Sequence, residues 1–318
     1  MRVLARVLLG LGAFLLVAGI LAVTWIPGVV KKTPLDVDQT TNYEGHAAKL
    51  DPLTGAFDTK PAYAIRQTMV DSKKSGDDHV IMVENACAVF DTGGAKVCVN
   101  GNDPDLIQAT TDIFATDRVT ALAVQDKNLP DDAVPHEGLV NKFPFDVEKK
   151  TYPFWDGDVG KAVPIEYVGT KELFGLETYE FSYTVKDIPI NIADDDPATP
   201  EDDSIPGTYD NVVTVNVDPK TGSIVKSGQD QQQYLDDGTE VADVVLTQTD
   251  ASVKDYVDDA KAAGRQLTIL LTVLPIVGFV GGILCLLGGL LLILRERSGG
   301  SSGQRVEENP KPKVGAGA

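Results

Sequence analysis

The side chains that could carry chemistry are few, and their spacing argues for structure before catalysis. Three histidines are present, His46, His79 and His136. Ser75, Asp77 and His79 supply the residue types of a hydrolytic triad, but they share one polar loop, KKSGDDH. Working triads are assembled in space from separate segments. No G-x-S-x-G, H-E-x-x-H or G-x-x-x-x-G-K-[ST] stretch occurs. The chain therefore reads as a non-enzyme, with no catalytic residue, cofactor or firm metal site expected.

Two other groups of residues have informative spacing. Cys87 and Cys98 flank Asp91-Thr92-Gly93-Gly94, a stretch with hairpin-turn chemistry. With Thr92 and Gly93 at the turn centre, the two cysteines face each other across the strands, within reach of a disulfide. No C-x-x-C is present, so the expected bond is a structural clip. The run Asp194, Asp195, Asp196 to Glu201, Asp202, Asp203 gathers oxygen ligands of the kind Ca²⁺ uses. Its spacing matches no EF-hand loop, and a solvated acidic loop is the better reading.

The densest unusual stretch is KFPFDVEKKTYPFWD. Phe143, Phe145, Tyr152, Phe154 and Trp155 surround two prolines and a charged centre. The same residues would serve as a core-packing corner or as the wall of an apolar ligand pocket. Pro144 and Pro153 exclude a central strand position.

These residues are held between two apolar runs. Leu267 to Leu294 contains no charged residue and exceeds the roughly 20 residues a helix needs to cross hydrocarbon. A second run, residues 7–26, lies between Arg2/Arg6 and Pro27, with Trp25 at an interfacial position. It lacks an A-x-A cleavage site near its end, which favours a retained helix over a signal peptide. Gly278 and Gly282, and Ala18 and Ala22, space small residues for helix packing in lipid. Arg295 and Arg297 follow the second span, so the positive-inside rule places both termini in the cytoplasm and the middle outside.

That middle segment, residues 33–266, holds 44 acids against 19 bases, a net −25. Such a surface repels phosphate backbones, and nucleic acid is excluded as a partner. Its runs YAIRQTMV, HVIMVENACAVF, NVVTVNVD, GSIVKS and VADVVLTQT are rich in β-branched residues and bounded by turns. The expected fold is a mainly β ectodomain, an antiparallel sheet, sandwich or partial barrel, between two transmembrane helices. Asp105 to Thr116 reads as a short helix. The expected divisions are a cytoplasmic start (1–6), a first span (7–26), a β-rich domain (33–251), a helical stalk (252–266) that continues into the second span unless Gly264 hinges it, that span (267–294) and a disordered cytoplasmic tail (295–318).

Several stretches together resemble the actinobacterial envelope family known as DUF3068 or porin PorA. They are Thr116-Asp117-Arg118-Val119-Thr120-Ala121, His136-Glu137-Gly138-Leu139, Lys142-Phe143-Pro144-Phe145, Lys149 to Asp156, and Val217-Asp218-Pro219-Lys220-Thr221-Gly222. The resemblance implies an actinobacterial cell-envelope protein anchored in the plasma membrane, and brings no catalytic residues. Its porin label sits poorly with two apolar helices and an acidic strand region, because membrane barrels cross with strands bearing an apolar outer band. The layout is similar to the eukaryotic scavenger receptors, two terminal spans about a β ectodomain. The preferred expectation is an ectodomain that binds an apolar ligand, such as a lipid, or another envelope protein. The alternative is a structural or assembly component without a small-molecule ligand; a porin or an enzyme ranks lower.

Overall fold

The computed structural model describes residues 2–94, 97–99, 103–193 and 204–298. The acidic loop Asp194 to Asp203 and the tail from residue 299 lie outside the described residues. The chain divides into two compact units, one of residues 1–29 with 267–318 and one of residues 30–266.

In the first unit, helix α1 (Arg2–Thr24) packs along helix α4 (Leu274–Ser298). The faces that meet are glycine-rich because nothing larger fits. A Cβ on Gly12 would lie 2.9 Å from the Gly282 carbonyl oxygen, and one on Gly278 2.7 Å from the Gly19 Cα. Close backbone approach of this kind replaces the hydrophobic driving force that lipid removes. Most of the large side chains elsewhere on the pair are exposed, and both helices are long and apolar enough to cross a membrane. A short helix, α2 (Ile26–Val30), follows α1. Arg295 to Ser298 continue α4, so the tail expected from residue 295 is helical over its first four residues.

The second unit is one antiparallel sheet of eleven strands. They are β1 (Asp38–Lys49), β2 (Lys60–Val70), β3 (His79–Phe90), β4 (Leu106–Asp117), β5 (Ala123–Val124), β6 (Tyr152–Asp156), β7 (Lys161–Leu173), β8 (Leu176–Ala193), β9 (Ser204–Val217), β10 (Ile224–Leu235) and β11 (Glu240–Gln248). Their spatial order is β5-β4-β3-β2-β1-β11-β10-β9-β8-β7-β6. Strand β4 occupies the stretch read as a helix. Its Leu106, Ile107, Ile113 and Phe114 mimic a helical stripe, but nine or more residues pair with β3, which settles the backbone. The expected hairpin about Thr92 is also absent: β3 runs instead between β2 and β4, with residues 91–105 connecting. The turns at Asp218 to Gly222 and Asp236 to Gly238 do join paired strands, with Gly222 and Gly238 at positive φ.

The two outer strands of the sheet meet through a single segment. Ala123 N–H donates to Gly138 O (2.7 Å), Leu139 N–H to Pro153 O (2.8 Å), and Trp155 N–H to Leu139 O (2.7 Å). Leu139 thus bridges β5's neighbour Leu122 on one side and β6 on the other, and curls the sheet into a barrel at that level. From this seam, residues 138–147 run as a strap to the β9–β10 turn, where Phe143 N–H donates to Gly222 O and Val147 N–H to Pro219 O (both 2.8 Å). That turn lies about halfway round the sheet, so the strap crosses one end of the barrel. Under it sits the main core, built from Phe143, Leu139, Tyr152, Ile165, Phe181, Val215 and Val217.

Helix α3 (Asp250–Thr268) starts at Thr249, whose hydroxyl accepts from Ser252 N–H (3.3 Å). One face of this helix, the stretch expected as a stalk, is packed: Val253, Val257 and Ala260 are buried against Val225, Leu173 and Leu176. Gly264 lies within the helix and makes no hinge; the departure from α geometry is a π-helical turn at Ile269–Val273.

Candidate functional site

One face of every long strand except β7 points into the barrel, and the space it encloses measures about 750 Å³. Period-two alternation decides which residues line it. Thr41 and Tyr43 of β1, Arg66 of β2, Glu84 of β3, Asp112 of β4, Asn211 of β9, Gln231 of β10 and Gln248 of β11 all face it, as do His136 and Lys142 of the strap and Tyr256 of α3. The lining mixes apolar walls with amides, hydroxyls and a few charges.

The aromatic run divides between two environments. Phe154 and Trp155 are mostly buried and border the cavity. Phe143 and Tyr152 lie in the core, with Phe143 ring centroids 4.7 Å from Phe181 and 5.3 Å from Tyr152. Phe145 is half-buried, with the Lys142 ammonium 4.0 Å from its ring centre. Pro153 enters β6, a strand at the sheet margin, as its missing donor requires.

The charged groups inside are mostly paired. Arg66 Nε lies 3.3 Å from Glu84 Oε1, and its guanidinium covers the Tyr43 ring at 5.4 Å. The Tyr43 hydroxyl and then the Glu84 carboxylate raise the arginine pKa further above its ordinary value. His136 is held at the seam: its Nε2 meets Asp112 Oδ2 at 2.8 Å, and its ring lies between Trp155 (4.5 Å) and Phe114 (5.1 Å). Burial opposes its charge most strongly, but Asp112 outweighs burial and the imidazole pKa rises. Lys142 donates to Phe143 O (2.9 Å), and burial pushes its ammonium down to about 7, with Asp218 opposing.

A second polar cluster occupies the β6–β7 turn and the facing strands. Asp156 is buried; its Oδ1 accepts from Asp158 and Val159 N–H (both 3.1 Å), and its Oδ2 from the Tyr183 hydroxyl (2.9 Å) and the Tyr209 hydroxyl (3.5 Å). Asn211 Nδ2 donates to the Tyr209 oxygen (2.7 Å). Asp158 is exposed as a residue, but partial desolvation of its carboxyl in the turn, then the neighbouring Asp156 charge, pushes it up to about 6. Burial likewise raises both tyrosines. Two buried amides keep one unpartnered atom each, Asn211 Oδ1 and Gln248 Nε2. Sequence reading missed this cluster. Asp156 and Asp158 were visible beside the aromatics, but their tyrosine partners lie on strands 27 and 53 residues on.

The remaining sequence candidates are structural. Cys87 and Cys98 form a disulfide, joining β3 to the loop that leads to β4. The Ser75 hydroxyl donates to Asp71 O (2.7 Å) and accepts from Ile81 N–H (2.9 Å), while His79 Nε2 faces Asp126 at 3.1 Å. No hydrogen bond joins Ser75 to His79 among the described residues, and Asp77 is not the histidine's partner. No group of three His, Cys, Asp or Glu side chains is placed to hold a metal among the described residues.

The family profile described as Porin PorA matches residues 4–291. The chain is 24% identical over 228 residues to a protein named Porin PorA from Corynebacterium resistens, covering 59% of this chain and 54% of that one. It is 32% identical over 94 residues to another of that name from Corynebacterium amycolatum, covering 26% of this chain and 24% of that one. The chain thus spans about half the length of the first relative and about a quarter of the second in these matches.

Proposed function

The chain belongs to the porin PorA family, and from that premise we propose that it is a membrane-anchored cell-envelope protein whose ectodomain holds an apolar or amphipathic ligand. The supporting observation is the cavity. Its volume of about 750 Å³ falls within the roughly 300–1,000 Å³ of small-molecule sites, and it combines apolar walls with a few placed polar groups. Phe154 and Trp155 supply an aromatic wall, and an acyl chain is the natural occupant in a lipid-rich envelope. In this reading residues 33–266 face outward from the plasma membrane, both termini are cytoplasmic, and the chain is not an enzyme.

The relatives' names favour a second reading, a pore. The outward residues Thr40, Asn42, Glu44 and His46 of β1 are exposed and polar, whereas a membrane barrel presents an apolar band there. A pore would therefore require several helix pairs to assemble.

Native mass spectrometry of the full chain, extracted from its own membranes, tests the first reading. A co-purifying lipid that denaturation releases is the expected result. An empty protein that also conducts ions in a planar bilayer would overturn it in favour of the pore.

A further inference from the structure

We propose that the β6–β7 turn and the facing wall of β9 form a subsite for an ammonium group, built by Asp158, Asn211 and Tyr209 with Asp156 behind them. The proposal rests on the cavity reading above for its apolar portion, but the head-group site stands on its own geometry.

Asp156, Asp158, Tyr183, Tyr209 and Asn211 all line the cavity. Both tyrosine hydroxyl protons are directed at carboxylates, Tyr183 to Asp156 and Tyr209 to the Asp156–Asp158 pair. The Tyr209 oxygen must then accept, and Asn211 meets it with Nδ2 at 2.7 Å. That bond fixes the amide's orientation, because the other orientation would place two acceptors against each other. Asn211 Oδ1 is left buried without a donor, on a cavity-lining residue only 3% exposed. Both tyrosine hydroxyl donors are used; one Nδ2 proton of Asn211 remains, and the unused acceptors are Asn211 Oδ1 and the remaining lone pairs of Asp158.

A buried acceptor left unmatched is costly, so the site calls for a ligand that donates. It also calls for positive charge. Two carboxylates meet here with no lysine or arginine paired to either among the described residues. The wider segment, with 44 acids against 19 bases, draws cations toward the cavity. A hard divalent metal fits less well. Asp156 is committed on both oxygens, which leaves one free carboxylate where Ca²⁺ takes six to eight oxygens. A primary ammonium has three donors and needs only a few acceptors.

The test uses the full chain in nanodiscs and four probes: octylammonium, octanol, octyl sulfate and ethylammonium, followed through Trp155 fluorescence and calorimetry. Octylammonium is expected to bind at least tenfold more tightly than octanol, and octyl sulfate more weakly than either. Asp158→Asn should erase that tenfold preference, and Asn211→Ala should reduce it, with near-ultraviolet circular dichroism confirming the fold in each. Ethylammonium binding without octanol uptake would uphold the ammonium subsite and remove the apolar reading. Equal affinity for octylammonium and octanol, a preference that survives Asp158→Asn, or displacement of ethylammonium by micromolar Ca²⁺ would overturn the subsite.

Discussion

Asp158 contributes against stability, and the direction follows from its proton. Its folded pKa of about 6 lies above the ordinary 3.8. Below pH 4 both states hold the proton and the group is neutral to folding. As pH rises from about 4 to 6 the unfolded chain releases its proton first, so stability falls, and the loss is complete above about 6. The charged group facing Asp158 is Asp156, with the Tyr183 and Tyr209 hydroxyls beside it. Asp158→Asn should therefore raise the melting temperature at pH 7.5, with the gain vanishing below pH 4; thermal scans at both pH values check this, and a loss of stability at pH 7.5 would contradict the assignment. The disulfide acts in the opposite sense. It closes a loop of sequence separation 11, for which chain entropy gives about 2–3 kcal/mol. Cys87→Ser should lower stability by about that amount in denaturant titrations under oxidising conditions, and reductant should shift the parent protein equally.

At the level of elements, the barrel depends on its seam. Gly138 has φ +68°, and a Cβ there would lie 2.6 Å from Pro153 O, the acceptor of the Leu139 N–H. Gly138→Val imposes both a left-handed β-branched residue and a clash, and should cost about 1–3 kcal/mol. Hydrogen exchange should show protection lost at Leu139 and Trp155 before β1 and β11, which lie on the far side of the sheet; uniform loss would mean the seam is not a separate unit. Little of this was legible beforehand. The β class and two of the hairpin turns were, because β-branched runs and Asp-Pro-Lys-Thr-Gly and Asp-Asp-Gly are local signals. The seam is one residue long, with no periodicity to detect. Strand β4 was misread because its local apolar spacing suits a helix, and pairing with β3 overrode it. The disulfide pairing followed from spacing even though, among the described residues, β3 pairs with β2 and β4 and not with the stretch that carries Cys98. The aromatic run was recognised as a unit, yet only the structure shows that Phe154 packs in one core with Phe143 and Tyr152 while also bordering the cavity, where Trp155 joins it.

For the whole molecule, the two apolar runs were the clearest feature of the sequence, because membrane crossing depends on length and composition alone. The structure adds why they pair: Gly12, Gly19, Gly278, Gly282 and Gly289 sit where any Cβ would press on the opposite helix. In a helical hairpin with two spans, both ends of the chain face the same side, so one charge asymmetry orients everything between. In the proposed topology, Arg295 and Arg297 beyond the second span, with Arg2 and Arg6 before the first, would put that side in the cytoplasm by the positive-inside rule. Lys31 and Lys32 pull the other way for the first span; Lys31 is paired with Asp146 and Lys32 donates to Asp77 O (2.9 Å). Single cysteines at Ser204 and Ser301, introduced after Cys285→Ala, resolve the orientation. A membrane-impermeant thiol reagent applied to intact cells should label the Ser204→Cys chain and spare the Ser301→Cys chain until the membrane is opened. The reverse pattern would turn the molecule inside out, place the cavity in the cytoplasm, and expose Cys87 and Cys98 to a reducing compartment in which their bond would not persist.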